Sequence, residues 1–277
     1  MGADRRHDDL RAFKRSLHAT EPPEWAGASG RERLLARCDR SRENLSVTSG
    51  RTPSVWERRA WAAGIVFVVA LLAEAAISAG LPINQDDSAP KIASQLQAHR
   101  HAVLVAAYLS AVYAVAFVIY LAKLHDLLSR VSTPPGTLHS LVLIGGVLLV
   151  ALHGVSDIGI YGLLGGKIAT YAAHHDQGLS YTLYLLTFAL DSVGDVFGSV
   201  FLIATGLLLI RIRVLPHWLA WIAVAGGTFL FVQGFGLGGI IGTYGLVLDL
   251  IGFVLFLVFV LLSSAILLRR QDPAHAM

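Results

Sequence analysis

Residues 181–210 read YTLYLLTFALDSVGDVFGSVFLIATGLLLI, an apolar run long enough to cross a bilayer that carries two aspartates near its middle. Its polar and small residues recur at steps of three, four and seven, which places them on one face of an α-helix. These residues are Thr187, Asp191, Gly194, Asp195, Gly198 and Thr205. A carboxylate in hydrocarbon costs at least about 2.5–3.5 kcal/mol unless it is neutralised, paired or hydrated. The stretch therefore predicts a membrane helix whose polar face is sheltered by neighbouring helices.

The composition of the whole chain is that of a membrane protein. Of its 277 residues, 55% are hydrophobic and 15% are charged, and the mean hydropathy is +0.61. This balance is too apolar for a soluble domain. The formal net charge of +3 belongs to an Arg-rich N-terminal arm and does not indicate a nucleic-acid partner. The expected partner of most of the surface is the lipid bilayer.

Apolar runs and helix start and stop signals predict an all-α, polytopic membrane helix bundle with six transmembrane helices. Residues 1–59 form a polar arm that is expected to be largely disordered, residues 60–270 the membrane domain and residues 271–277 a short tail. The second helix is predicted to begin near Ser88 or Pro90 and to run unbroken through Leu127. The predicted spans cover about 61–80, 102–124, 138–164, 181–210, 217–240 and 244–268.

The basic residues of the connections predict the orientation. Six spans put both termini on one side, and the side richer in Lys and Arg is the cytoplasmic one. Lys91, Arg100 and Lys167 lie on the opposite side. The basic residues on the side of the termini, outside the arm, are Lys123, Arg130, Arg211, Arg213, Arg269 and Arg270. Both termini are therefore predicted to be cytoplasmic, in the inner (plasma) membrane of a bacterium.

Six ionisable side chains are predicted to share the outer half of the bilayer. At a rise of 1.5 Å per residue, His153 and Asp191 lie roughly 13–17 Å below the outer surface and Asp195 lies near the midplane. His153 and Asp157 are four residues apart, as are Asp191 and Asp195, so each pair projects from one helical face. We expect Asp157 and Asp191 to face one another across the third and fourth spans. The predicted site consists of His153, Asp157, Asp191, Asp195, Glu74 and Asp249.

Three functions fit this group of side chains. The leading hypothesis is the handling of a small solute or ion through an outward-facing acidic and histidine cavity, with a proton link. The second is a non-catalytic scaffold or regulatory subunit, in which the acids only hydrogen-bond to neighbouring helices. The third is a metal-dependent intramembrane hydrolase whose ligands would come from His153, Asp157, Asp191 and Asp195.

Known catalytic motifs do not decide between these functions. The chain has no HExxH, GxSxG or Walker-type sequence. We therefore assign no catalytic residue, no metal and no cofactor from the sequence, and whether the protein is an enzyme stays open.

Glycines at four-residue spacing predict close helix packing. Gly194 and Gly198 form one such pair, and Gly234, Gly238 and Gly242 form a second series. Small residues at this spacing let two helices approach closely. The same faces offer an interface for a homo-oligomer.

The segment from Leu215 to Trp221, LPHWLAW, follows GSVFLIATGLLLIRIRV and precedes a Gly-Gly span. Together with the segment from Ile92 into the second span, it resembles a group of uncharacterised bacterial integral membrane proteins of the domain-of-unknown-function type. The resemblance covers roughly residues 60–268 and implies a six-helix membrane protein. It implies no catalytic or binding residue, because that group has no established activity.

Overall fold

The computed structural model describes residues 55–83, 87–131, 136–166, 171, 177–234 and 243–270. Within these residues all regular secondary structure is helical, which confirms the predicted all-α class. Most of the predicted arm and the whole predicted tail lie outside them. The elements are α1 Val55–Ala79, α2 Ala89–Ala98, α3 Arg100–Val131, α4 Thr137–His153, a π-helical turn Gly154–Ile160, α5 Tyr161–Gly165, α6 Gln177–Ile212, α7 His217–Gly234 and α8 Thr243–Arg270.

Five segments of the described chain are long and apolar enough to cross a membrane. They are Arg59–Ala79, Arg100–Val131, Thr137–Gly165, Gly178–Ile212 and Val247–Arg270. These segments indicate a multi-pass membrane protein. The span predicted over 217–240 corresponds to α7, an 18-residue helix that is not among the five. Residues 235–242, which that span partly includes, lie outside the described chain.

The second predicted helix is broken, so the expectation of one helix from Ser88 or Pro90 to Leu127 is wrong. α2 ends at Ala98, the following residue His99 leaves the α-helical region with a φ of −105° and a ψ of 21°, and α3 starts at Arg100. The reason is the apolar face of α2, which buries Ile92 and Leu96 in a cluster with side chains of α5 and α6. If α2 continued the axis of α3 in a straight line, its apolar face would not lie against α6.

The long helices pack in chain order around a common centre. α1 contacts α3, α3 contacts α4 and the π-helical turn, α4 contacts α6, α6 contacts α7, and α7 contacts α8, which returns to α1. Four phenylalanine rings from α1, α3, α6 and α8 meet in the middle. Their centroids lie between 5.0 and 6.4 Å apart in the pairs that touch, which suits tilted and edge-on aromatic packing. These rings belong to Phe67, Phe117, Phe201 and Phe256.

Glycines bring α6 close to both of its neighbours. A Cβ atom on Gly145 of α4 would lie 2.7 Å from the backbone nitrogen of Phe201, and one on Gly227 of α7 would lie 2.9 Å from the carbonyl oxygen of Ser199. Backbone therefore packs on backbone at both contacts. α6, which carries the two aspartates of the opening stretch, is held between α4 and α7.

The predicted glycine spacing serves packing inside one chain. Gly194 and Gly198 contact α4, where a Cβ atom on Gly198 would lie 3.1 Å from Leu149 Cδ1. Gly234 contacts Val196 of α6. Gly238 and Gly242 lie outside the described residues. The sequence analysis considered these glycine faces as a homo-oligomer interface. In the described residues they instead contact helices of the same chain.

Candidate functional site

His153 lies between the two aspartates of α6. It is the last residue of α4, and its Nδ1 lies 3.2 Å from Asp191 Oδ1 while its Nε2 lies 3.4 Å from Asp195 Oδ1. Asp191 Oδ1 is a fully buried atom that has this ion-pair contact but no aligned hydrogen bond. Because only an imidazolium carries N–H donors on both ring nitrogens, carboxylates on both sides suit a protonated ring. The arrangement can hold one proton among three side chains.

Asp157 completes the group from the π-helical turn that follows α4. Its Oδ2 lies 4.0 Å from His153 Nδ1 and accepts a hydrogen bond from the hydroxyl of Tyr113 on α3. One ligand atom each from His153, Asp157 and Asp191 lies within 4.8 Å of the others. The expectation that Asp157 and Asp191 face one another is therefore confirmed. π-Helical turns inserted into α-helices are frequent at functional sites.

Glu74 and Asp249 lie at the edge of this group. Glu74 on α1 accepts a hydrogen bond of 2.5 Å from Ser78 Oγ and interacts electrostatically with Asp191 and His153. Asp249 on α8 interacts electrostatically with Asp195, His153 and Asp191. The six residues proposed from the sequence are therefore brought together, four of them in an ion-pair network and two beside it.

Gly194 makes room for the histidine ring. It lies on α6 between the two aspartates, and a Cβ atom there would be 2.9 Å from both Cδ2 and Nε2 of His153. Real side chains do not approach so closely, so any larger residue must displace the ring. The glycine that the sequence suggested for helix packing thus sets the position of His153.

A mainly apolar cavity of about 70 Å³ adjoins the group. Side chains from all six long helices line it, and its walls include the aromatic rings at the centre of the bundle. His153, Asp195 and Tyr113 provide its polar groups. A buried water needs about 10–15 Å³ of such volume, so the cavity suits a few waters or a solute of a few non-hydrogen atoms.

Tyr113 was not among the residues proposed from the sequence. A weak signal was present, since Ser110, Tyr113 and Tyr120 recur at steps of three and seven on α3 and so lie on one helical face. All three are buried in the structure. A tyrosine in an apolar span is common enough that this spacing alone does not identify a site.

Removing the hydroxyl of Tyr113 should destabilise the protein. Tyr113→Phe leaves Asp157 without its donor from α3, and a hydrogen bond to a charged group contributes about 1.5–3 kcal/mol. We expect a lower unfolding temperature in detergent. Tyr108→Phe is the control, because Tyr108 is on the same helix but 71% exposed. Equal effects of the two variants would show that the Asp157 contact contributes nothing.

Comparison with known proteins identifies a family and nothing more specific. The model of the family described as "Domain of unknown function (DUF4386)" matches residues 64–268, which confirms the resemblance to an uncharacterised family. No significant match was found among curated proteins or among solved structures. The matched range includes the six residues of the candidate site and all helices from α2 to α7. This chain belongs to the DUF4386 family.

Proposed function

We propose that the protein binds a proton or a small cation at His153 and its surrounding carboxylates, and that this binding is linked to the handling of a small solute. The observation that carries the proposal is the charge imbalance of the group. Five carboxyl groups surround one basic side chain. Ionised carboxylates this close repel each other in a low-dielectric interior, so protons or another cation must compensate them.

The solute would occupy the adjoining cavity. His153 and Asp195 belong both to the ion-pair network and to the cavity wall. A solute at that wall therefore changes the surroundings of the same atoms that hold the proton or cation. Such shared residues provide a coupling between the two binding events, and that coupling acts equally in both directions.

Access is proposed from the outer side of a bacterial inner membrane. In this arrangement α7 belongs to the span that the sequence predicts over residues 217–240, which brings the number of spans to six, both termini are cytoplasmic, and His153 is reached from the opposite side. The distribution of basic residues supports the orientation.

A topology reporter tests this orientation. A reporter that is active only in the cytoplasm should be active when fused after Arg270 and inactive when fused within residues 169–178. Cell fractionation with immunoblotting checks that both fusions are inserted in the membrane. The reverse pattern of activity would place the site on the cytoplasmic half and contradict access from outside.

Charge displacement tests the proposed binding. Proteoliposomes adsorbed to a solid-supported membrane are stepped from neutral to acidic external pH while the current is recorded. A proton that moves into the bilayer crosses part of the membrane field and produces a transient current. The wild-type protein should give this current, and the Asp191→Asn/Asp195→Asn double variant should not. A wild-type trace equal to that of protein-free liposomes would refute proton binding at this group.

A divalent metal ion is the second candidate for the same residues. His153, Asp157 and Asp191 offer one nitrogen and two oxygen ligands within 4.8 Å. Zinc binds such ligands at about 2.0–2.2 Å, which limits the separation of two ligand atoms to about 4.4 Å, so these side chains would have to move slightly closer together to hold it. Elemental analysis of protein purified without chelators distinguishes the candidates. One metal ion per chain, lost in Asp191→Asn, favours the metal, whereas metal-free protein with a pH-driven current favours the proton.

A further inference from the structure

A second cavity, of about 300 Å³, lies at the basic end of the bundle, where α1 and α3 meet the turn between α6 and α7 and the end of α8. Its wall carries three basic side chains, Lys123, Arg130 and Arg270, and one acidic side chain, Asp126. Positive charge therefore exceeds negative charge there. Trp61 is 13 residues before Glu74 on α1, so this cavity is roughly 20 Å along the helix from the level of the His153 group.

The basic side chains are held in place on the cavity wall. Arg130 pairs with both oxygens of Asp126, with Nε 2.9 Å from Oδ1 and Nη2 2.8 Å from Oδ2. Lys123 Nζ lies 3.4 Å from Asp126 Oδ2. Arg270 Nη1 donates a hydrogen bond of 2.5 Å to the carbonyl oxygen of Val214. An arginine has five N–H donors, so Arg130 and Arg270 retain donors for an anion after these contacts.

Trp61 adds a buried donor to the same wall. The residue is 1% exposed, and its Nε1 atom is buried without a hydrogen-bond partner among the described residues. Buried N–H groups in proteins are normally paired with protein, water or ligand. This indole belongs to a side chain of the cavity wall, and the excess of positive charge on that wall indicates a ligand that carries negative charge.

We propose that this cavity binds the phosphate group of an anionic phospholipid. Phosphate oxygens accept hydrogen bonds and carry the charge that the wall complements. Leu127 and Leu267 form apolar parts of the same wall, which suits the glycerol and first acyl carbons of a lipid better than a free ion. Basic cavities between membrane helices at the interface are a known mode of headgroup binding. The inference is independent of the function proposed for the His153 group.

Native mass spectrometry of the full-length protein tests the proposal. The protein is released from micelles that contain equal amounts of phosphatidylglycerol and phosphatidylcholine, and the bound lipid is identified by mass. Wild-type protein should retain phosphatidylglycerol preferentially. Arg270→Gln, at an exposed helix end, should reduce that preference about tenfold. Arg59→Gln is the matched control, because Arg59 is exposed and does not line this cavity.

A second variant tests the indole donor separately from the charge. Trp61→Phe keeps an aromatic ring but removes the N–H, and it should also weaken phosphatidylglycerol retention. Trp218→Phe, at a residue that is 52% exposed, should leave retention unchanged. Thermal unfolding in detergent with added inorganic phosphate tests whether the cavity binds free phosphate instead of a lipid headgroup. Stabilisation by inorganic phosphate without any preference for phosphatidylglycerol would overturn the lipid assignment, and so would equal retention by wild type and Arg270→Gln.

Discussion

Replacing Asp191 by asparagine should weaken proton or cation binding about ten- to hundredfold. The substitution removes the negative charge that lies 3.2 Å from His153 Nδ1, and the loss of an opposite charge within about 4–6 Å lowers the affinity of an ionisable group for a proton about tenfold or more. The amide is nearly the same size as the carboxyl group, so the variant should still fold. The readout is the amplitude of the pH-driven current in proteoliposomes over a series of pH steps.

Asp249→Asn is the matched control for that experiment. Asp249 is also a half-buried acid near the group, but it influences His153 only electrostatically and is not in contact with the ring. We expect most of the current to remain in this variant. If Asp191→Asn and Asp249→Asn reduce the current equally, the contact with His153 has no special role, and a general effect of negative charge explains the data.

Replacing Gly194 by alanine should displace His153 and disrupt the group. The added Cβ atom would be 2.9 Å from two atoms of the imidazole, and forcing extra atoms into a packed interior costs about 1–3 kcal/mol. We expect a lower unfolding temperature in detergent and a large loss of the pH-driven current. Gly162→Ala is the control, since the nearest atom to its Cβ position is 4.0 Å away.

A double-mutant cycle separates displacement of the ring from general damage to the helix. In a His153→Ala background the space next to Gly194 is open, so Gly194→Ala should cost little there. The interaction energy of the two substitutions then measures the clash itself. An equal cost of Gly194→Ala in both backgrounds would show that the ring is not the obstacle.

The sequence predicted the centre of the candidate site because helical spacing and the cost of a buried charge act together. Asp191 and Asp195 are one turn apart on an apolar helix, and His153 and Asp157 are one turn apart on the preceding one. Four such groups cannot face lipid, so they must face each other or neighbouring helices. The contacts of His153 with both aspartates follow this rule.

Other features depended on packing that no local pattern encodes. The break at His99 arises because α2 lays its apolar face on α6, and a continuous run of helix-forming residues gives no sign of it. The π-helical turn around Asp157 follows α4, and its sequence contains no proline that would have indicated an irregularity in the helix. Tyr113 joins the group from α3, which is more than 40 residues away from Asp157 in the chain. Such contacts depend on the tertiary arrangement of the helices.

The central claim is that the carboxylates around His153 take up a proton or cation together with the ring. Infrared difference spectroscopy across a pH step observes carboxyl protonation directly, and ¹³C-labelled aspartate assigns the band to this residue type. We expect the protonated-aspartate band of wild-type protein, to which the other aspartates of the chain also contribute, to contain a component that is lost from the Asp191→Asn/Asp195→Asn double variant and retained in Asp249→Asn. A band of equal size and shape in wild type and the double variant would contradict proton uptake at these two carboxylates.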